Sequence, residues 1–178
     1  MGDTGTLGVA IVGVVGTLLS ALLTRRAADR SRQRERERAQ EAADRRQRER
    51  QLRASFVALN AAARQYLAVL TDQLHALGNE SELPDTRQRL AEARDHFREV
   101  YAEAQVRVPE PVLGLTGRFS RELGEVYGMV RRLDGGVLRP GDAPEAARER
   151  IAALWTARRR IQAEMRFQLG VSRSDAGR

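Results

Sequence analysis

Two histidines, His75 and His96, are the side chains of this sequence best suited to acid–base chemistry or metal binding near neutral pH. A metal site would need further ligands at matching spacings, and no carboxylate set of that kind accompanies either histidine. A histidine that stands alone on a helix is usually solvated or caps a helix end. We therefore predict no metal, no cofactor and no catalytic residue.

The residue types that the chain lacks exclude further chemistry. The sequence has no cysteine, and all 31 of its basic residues are arginine because it has no lysine. Thiolate metal sites, disulfides, lysine Schiff bases and the lysine-containing phosphate-binding loop are therefore excluded. Gly114 and Gly117 match neither a dinucleotide-binding fingerprint nor a nucleophile elbow, so they indicate a local kink. These absences predict that the protein is not an enzyme.

One basic cluster, Arg158 to Arg160, could bind a partner. Adjacent arginines offer positive charge to a phosphate group or to an acidic protein. The plainer interpretation is a solvated helix face, which we take as the default. Asp95 and Arg98 similarly look like a surface ion pair.

The longest apolar segment lies near the N-terminus, where residues 4–24 carry no charge. A helix of these 21 residues is about 30 Å long, the thickness of the hydrocarbon core of a bilayer. A buried core helix and a secretory signal peptide are the alternatives. A signal peptide begins with basic residues, whereas this chain begins with an acid and no base. We predict that residues 1–24 form a short N-terminus and a transmembrane helix.

Arginines begin directly after this segment and predict its orientation. Positive residues near a span stay on the cytoplasmic side, so the protein is expected to cross the cell membrane once with its bulk in the cytoplasm. Anionic lipid headgroups attract such arginines at about 1 kcal/mol each. The predicted lipid or nucleic-acid contacts are Arg25, Arg26, Arg30, Arg32 and Arg34.

Small residues recur at helical spacing along one face of the predicted span. They are Ala10, Gly13, Thr17 and Ala21. Small side chains allow helices to approach closely in lipid, so this face predicts self-association into a homo-oligomer. The alternative is that small residues are simply common in single spans.

Residues 25–53 hold 12 arginines and six acids, a net charge of +6. No large apolar residue lies between Leu23 and Leu52, so a helix here would have no buried face, and we predict a solvated helical stalk. Its charge could contact lipid, bind nucleic acid or only keep a spacer soluble. Nucleic-acid binding is the less favoured of these, because there is no aromatic stacking residue before Phe56.

Apolar periodicity in residues 54–169 predicts four helices: the continuation of the stalk to about residue 77, then 84–107, 111–134 and 143–169. The fold class is all-α, with an antiparallel bundle of about four helices. Dimeric coiled coils are the alternative, since the first helix has a heptad seam with Gln73 as its polar intruder. Asp142 and Glu145 resemble a capping box. Residues 170–178 are predicted to be disordered.

The order of these parts resembles a known family. A short N-terminus and a span rich in small residues lead into "TRRAADRSRQRERERAQEAADRRQRERQLR" (residues 24–53), followed by a helical domain rich in alanine and arginine. This layout resembles the KilB-like membrane proteins of actinomycete plasmids, which are linked to conjugative transfer and plasmid spread. The resemblance implies a role in plasmid spread at the cytoplasmic membrane. The residues themselves predict a non-enzymatic, membrane-anchored scaffold with an unknown protein partner; the alternative is a membrane-tethered nucleic-acid binder.

Overall fold

A computed structural model describes the backbone of residues 4–77 and 83–171, and the side chains of residue 33 and of residues 35–77 and 83–171. Within these residues the chain is all-α, with four helices and no strand. They are α1 (Thr4–Ala76), α2 (Leu83–Arg107), α3 (Glu110–Gly135) and α4 (Pro144–Gln168). The all-α prediction is confirmed, and α2, α3 and α4 begin and end within one residue of their predicted bounds.

The chain divides into two units, residues 1–49 and residues 50–178. In the first unit, the described side chains are exposed apart from the half-buried Ala42. The second unit contains every described residue that is buried. Of the predicted disordered tail, Gly170 and Val171 are described, and residues 172–178 lie outside the described part of the chain.

Proline and glycine separate α3 from its neighbours. Pro109 has an extended backbone (φ −61°, ψ 147°) and precedes α3, and Pro111 occupies the first turn of that helix. Proline suits this position because the first N–H groups of a helix have no partner within it. The C-terminal end is capped by Gly136, whose φ of 70° is left-handed and whose N–H donates to the carbonyl of Arg132.

The core of the second unit is built from all four helices. The buried face of α1 is wider than a heptad seam, because buried residues occur there as adjacent pairs. A two-stranded coiled coil buries one narrow stripe, whereas a bundle helix contacts neighbours on two sides. This breadth favours the predicted bundle over the coiled-coil alternative. The pairs are Ala62 with Ala63, Tyr66 with Leu67, Val69 with Leu70, and Gln73 with Leu74.

Neighbouring helices run antiparallel in this unit. Asp72 near the end of α1 pairs with Arg89 near the start of α2, at 3.3 Å between Oδ2 and Nη2. Arg87 in the first turns of α2 forms two hydrogen bonds of 2.7 Å with Asp134 at the end of α3. These contacts join the end of one helix to the start of another, as the up-down arrangement requires.

Asp142 does not cap α4, so the predicted capping box is wrong. Ala143 precedes that helix and no side chain caps its first turn. The Asp142 carboxylate instead accepts hydrogen bonds of 2.7 and 2.8 Å from the Arg132 guanidinium and one of 2.8 Å from the Arg139 backbone N–H. The Arg132 bonds, followed by the Arg139 N–H, lower the pKa of Asp142 to about 2.

We expect Asp142 to make the stability of the bundle depend on acidity. Its folded pKa of about 2 lies below the value of about 3.9 in unfolded chains. Its contribution is therefore complete above about pH 4 and is lost as the pH falls towards 2. The difference in unfolding free energy between the 50–178 fragment and its Asp142→Asn variant should shrink as the pH falls from about 4 to 2. Denaturant unfolding at several pH values checks this, and a constant difference would contradict it.

Gln73 is the predicted polar intruder, and it lies fully inside the bundle with 1% of its surface exposed. Neither Oε1 nor Nε2 of its amide has a hydrogen-bond partner. Burying an unpaired amide costs about 1–3 kcal/mol. We expect Gln73→Leu to raise the free energy of unfolding of the 50–178 fragment by about that amount. The exposed Gln65→Leu is the matched control, and destabilisation by Gln73→Leu would show that the amide is hydrogen-bonded in the folded protein.

Candidate functional site: an arginine surface on α4

The site residues predicted near the N-terminus cannot be placed by their side chains. The self-association residues Ala10, Gly13, Thr17 and Ala21 belong to α1, as do the five predicted contact arginines at 25, 26, 30, 32 and 34, but all of these side chains lie outside the described ones. No helix within the described residues is long and apolar enough to cross a membrane. That statement concerns the residues whose side chains are described; the predicted span at residues 4–24 lies outside them, and both sets stay predictions.

His75 and His96 are both exposed, and His75 lies in the last turn of α1. Among the described residues, no group of three or more histidine, aspartate or glutamate side chains is arranged to hold a metal ion. Both positions are typical of solvated or helix-end histidines.

Arg158 is half-buried between α4 and α1, and is therefore not part of a fully solvated face. Its Nη1 donates a hydrogen bond of 2.8 Å to Oδ1 of Asn60 on α1. Its guanidinium carbon lies 5.2 Å from the centre of the Trp155 ring, within the range of a cation–π contact. Its Nε is buried and has no hydrogen-bond partner.

Like charges surround Arg158. Burial lowers the pKa of the Arg158 side chain, and the nearby charges of Arg64 and Arg159 lower it further. Arg159 is exposed and donates a hydrogen bond of 2.9 Å to the hydroxyl of Thr156. Such a cluster is unfavourable without a counter-charge, since each arginine raises the free energy of the others.

A groove between α4 and α3 is lined by two more arginines, one from each helix. Arg160 on α4 and Arg118 on α3 line a surface groove of about 430 Å³. Phe119 and Ile161 form part of its apolar base, and Glu122 is the acid that lines it. The groove therefore continues the positive charge of α4 towards α3.

We call these residues together the α4 arginine surface, which extends over the α1 side and the α3 side of α4: Arg64, Arg118, Arg158, Arg159 and Arg160. None of the five has a carboxylate oxygen within 4.0 Å among the described residues. Some arginines elsewhere in the bundle have such partners, as Arg87 has in Asp134, whereas others, such as Arg98 and Arg166, have none among the described residues. Arginine forks match the oxygen pairs of phosphate and carboxylate groups, so this surface is suited to anionic partners.

Sequence reasoning found Arg158 to Arg160 but missed Arg64 and Arg118. Each missed arginine is adjacent in sequence to an inward-facing residue, Ala63 or Phe119, and this places it at the edge of a helix interface. That adjacency was the available signal. The adjacency does not indicate which other helix lies across that interface.

Comparison with known proteins finds no relative. No protein-family model matches the chain, and neither a curated protein nor a solved structure matches it.

Proposed function

We propose that this chain is a non-enzymatic, membrane-anchored helical scaffold at the cytoplasmic face of the cell membrane. The observation that carries the proposal is the uncharged run of residues 4–24. A bilayer span must satisfy its backbone hydrogen bonds internally, and this run lies within the helical bounds of α1. The arginines that begin at Arg25 supply the cytoplasmic orientation.

The α4 arginine surface supports an interaction role for the bundle. Its five arginines have no carboxylate partner among the described residues, which suits them to anionic groups. A scaffold of this kind would self-associate through Ala10, Gly13, Thr17 and Ala21 and hold an acidic protein or anionic lipid at the bundle. Plasmid transfer or spread is the process that the resemblance to KilB-like proteins implies.

Membrane fractionation of the full-length chain tests the anchor. We expect the protein to sediment with membranes and to resist extraction by alkaline carbonate. Protease added to spheroplasts should spare the bundle, and protease added to inverted vesicles should digest it. Extraction by carbonate, or digestion in intact spheroplasts, would contradict the anchor or its orientation.

The α4 arginine surface also favours a second function, binding nucleic acid from the membrane. Phosphate contacts of this type weaken steeply with salt. Detergent-solubilised full-length protein can be titrated with duplex DNA at low and physiological salt, and with anionic vesicles in parallel. Saturable DNA binding that persists at physiological salt supports the second function, whereas binding to vesicles alone supports the scaffold.

A further inference from the structure

A separate groove lies between α2 and α3, away from the α4 arginine surface. Its walls are Arg94 and Arg98 from α2 and Ser120, Gly124 and Tyr127 from α3, and its volume is about 320 Å³. We call it the α2–α3 groove. Its size is comparable to that of a small organic molecule.

Gly124 leaves the groove open. A Cβ atom at this position would have no neighbour within 4 Å, so a side chain placed there would project into free space. Glycine within a helix costs about 1 kcal/mol relative to alanine. The helix therefore carries a destabilising residue at the position where a side chain would obstruct the groove.

The two arginines of the groove differ in how they are held. Arg94 donates a hydrogen bond of 3.1 Å to the Tyr127 hydroxyl, lies 5.0 Å from the centre of the Tyr127 ring and contacts Asp95 at 3.4 Å. Asp95 thus pairs with Arg94, so the predicted Asp95–Arg98 pair is wrong. Arg98 has neither a hydrogen bond nor an ion pair among the described side chains. One arginine is positioned by the protein, and the other is available to a ligand.

Hydroxyl groups add neutral donors to this charge. The Tyr127 oxygen accepts a hydrogen bond from Arg94, which leaves its own hydrogen free, and Ser120 lines the same wall. Burial raises the pKa of Tyr66 above its ordinary value, with a smaller contribution from Tyr127, so Tyr66 remains a neutral phenol.

The floor of the groove is aromatic. The rings of Tyr66 and Phe97 have centroids 5.9 Å apart, and those of Tyr66 and Tyr127 are 6.4 Å apart in an edge-to-face arrangement. Tyr66 and Phe97 line the groove but are each only 2% exposed, so the accessible aromatic surface belongs mainly to the half-buried Tyr127. An apolar group in the groove would therefore contact chiefly the Tyr127 ring, beside the polar donors of the walls.

We propose that the α2–α3 groove binds a small organic phosphate monoester. The phosphate group would be held by Arg98 and Arg94 with the wall hydroxyls, and the apolar part of the ligand would lie against the Tyr127 ring. A phosphate has three oxygens that each accept hydrogen bonds, which matches several converging donors better than a carboxylate does. The proposal is independent of the membrane anchor, because every residue that it uses lies in the 50–178 unit.

Calorimetric titration of the full-length chain in dodecyl maltoside with phenyl phosphate tests the groove. We expect saturable binding by the wild type, and a loss of roughly tenfold or more in affinity for Gly124→Leu and for Arg98→Gln. Inorganic phosphate and phenol should each bind more weakly than phenyl phosphate, because each lacks one half of the ligand.

Two matched variants distinguish the loss of binding at the groove from a general effect of substitution. Gly114→Leu makes the same change on α3 at a glycine that also has free space around it but does not line the groove, and Arg166→Gln removes an exposed arginine on α4. Both should bind phenyl phosphate as the wild type does. No saturable binding, equal affinities in Gly124→Leu and Gly114→Leu, or binding of phenol as tight as that of phenyl phosphate would overturn the proposal.

The phosphate monoester could belong to a soluble metabolite or to a lipid headgroup. Repeating the titration in mixed micelles that contain phosphatidic acid distinguishes these sources. Displacement of phenyl phosphate from the wild type by phosphatidic acid, and not by phosphatidylcholine, would identify the lipid headgroup as a ligand of the groove. Unchanged phenyl phosphate binding would identify a soluble monoester.

Discussion

Replacing Val14 and Leu18 together with arginine is expected to move the full-length chain from the membrane fraction to the soluble fraction. Both residues lie near the middle of the uncharged run at residues 4–24. An arginine at the centre of a span costs about 2.5–3.5 kcal/mol on insertion, whereas valine and leucine are slightly favourable. Two substitutions therefore disfavour insertion by roughly 6–8 kcal/mol, more than the remaining apolar residues can offset.

The measurement is carbonate-resistant sedimentation of the full-length protein, quantified by immunoblot against the wild type. Gln40→Arg with Gln47→Arg is the matched control, since it adds the same charge at exposed positions beyond the run. The control should sediment as the wild type does. If Val14→Arg with Leu18→Arg still sediments fully, residues 4–24 do not anchor the chain.

Phe97→Ala is expected to cause the largest loss of stability within the bundle. Phe97 is 2% exposed, and its ring lies within about 6 Å of three others: Tyr66, Tyr101 and Phe119. Removing a buried phenylalanine costs about 3–5 kcal/mol because the remaining cavity only partly collapses. Whole domains are stable by about 5–15 kcal/mol, so this single change removes a large share.

Guanidinium unfolding of the 50–178 fragment, followed by circular dichroism, measures this effect. The fragment contains every buried residue that the structure describes. Phe167→Ala is the control, because Phe167 is 69% exposed and its truncation should change the unfolding free energy by less than about 0.5 kcal/mol. Equal effects of the two variants would mean that the aromatic cluster does not stabilise the core.

Much of the fold follows from local pattern. The bounds of α2, α3 and α4 come from Pro84, Pro109, Pro111 and the glycines after α3, because these residues act on the backbone within one or two turns. The inward positions also follow from spacing, as Phe97, Leu123 and Ile151 show. What spacing underestimated was the width of the α1 face, where Leu67 and Leu74 are buried beside the heptad seam.

The candidate sites were harder to predict from local sequence pattern. Arg98 was assigned to Asp95 from their spacing, but Asp95 lies against Arg94. Arg158 was assigned to a solvated face, but Asn60, 98 residues away in sequence, accepts its hydrogen bond. In each case the pairing depends on which partner atom the folded chain brings close to the side chain. Several partners are compatible with any one helical position, so local spacing does not select among them.

The sequence by itself determined that the chain is helical, where three of its helices begin and end, and which faces turn inward, since these depend on side-chain periodicity and on backbone-restricting residues. Only the tertiary structure decided that Gly124 opens a groove beside Arg98 and that Arg64 and Arg118 extend the charge of α4. The reason is physical: a helix constrains neighbours three or four residues apart, whereas a site between helices depends on how separate helices pack.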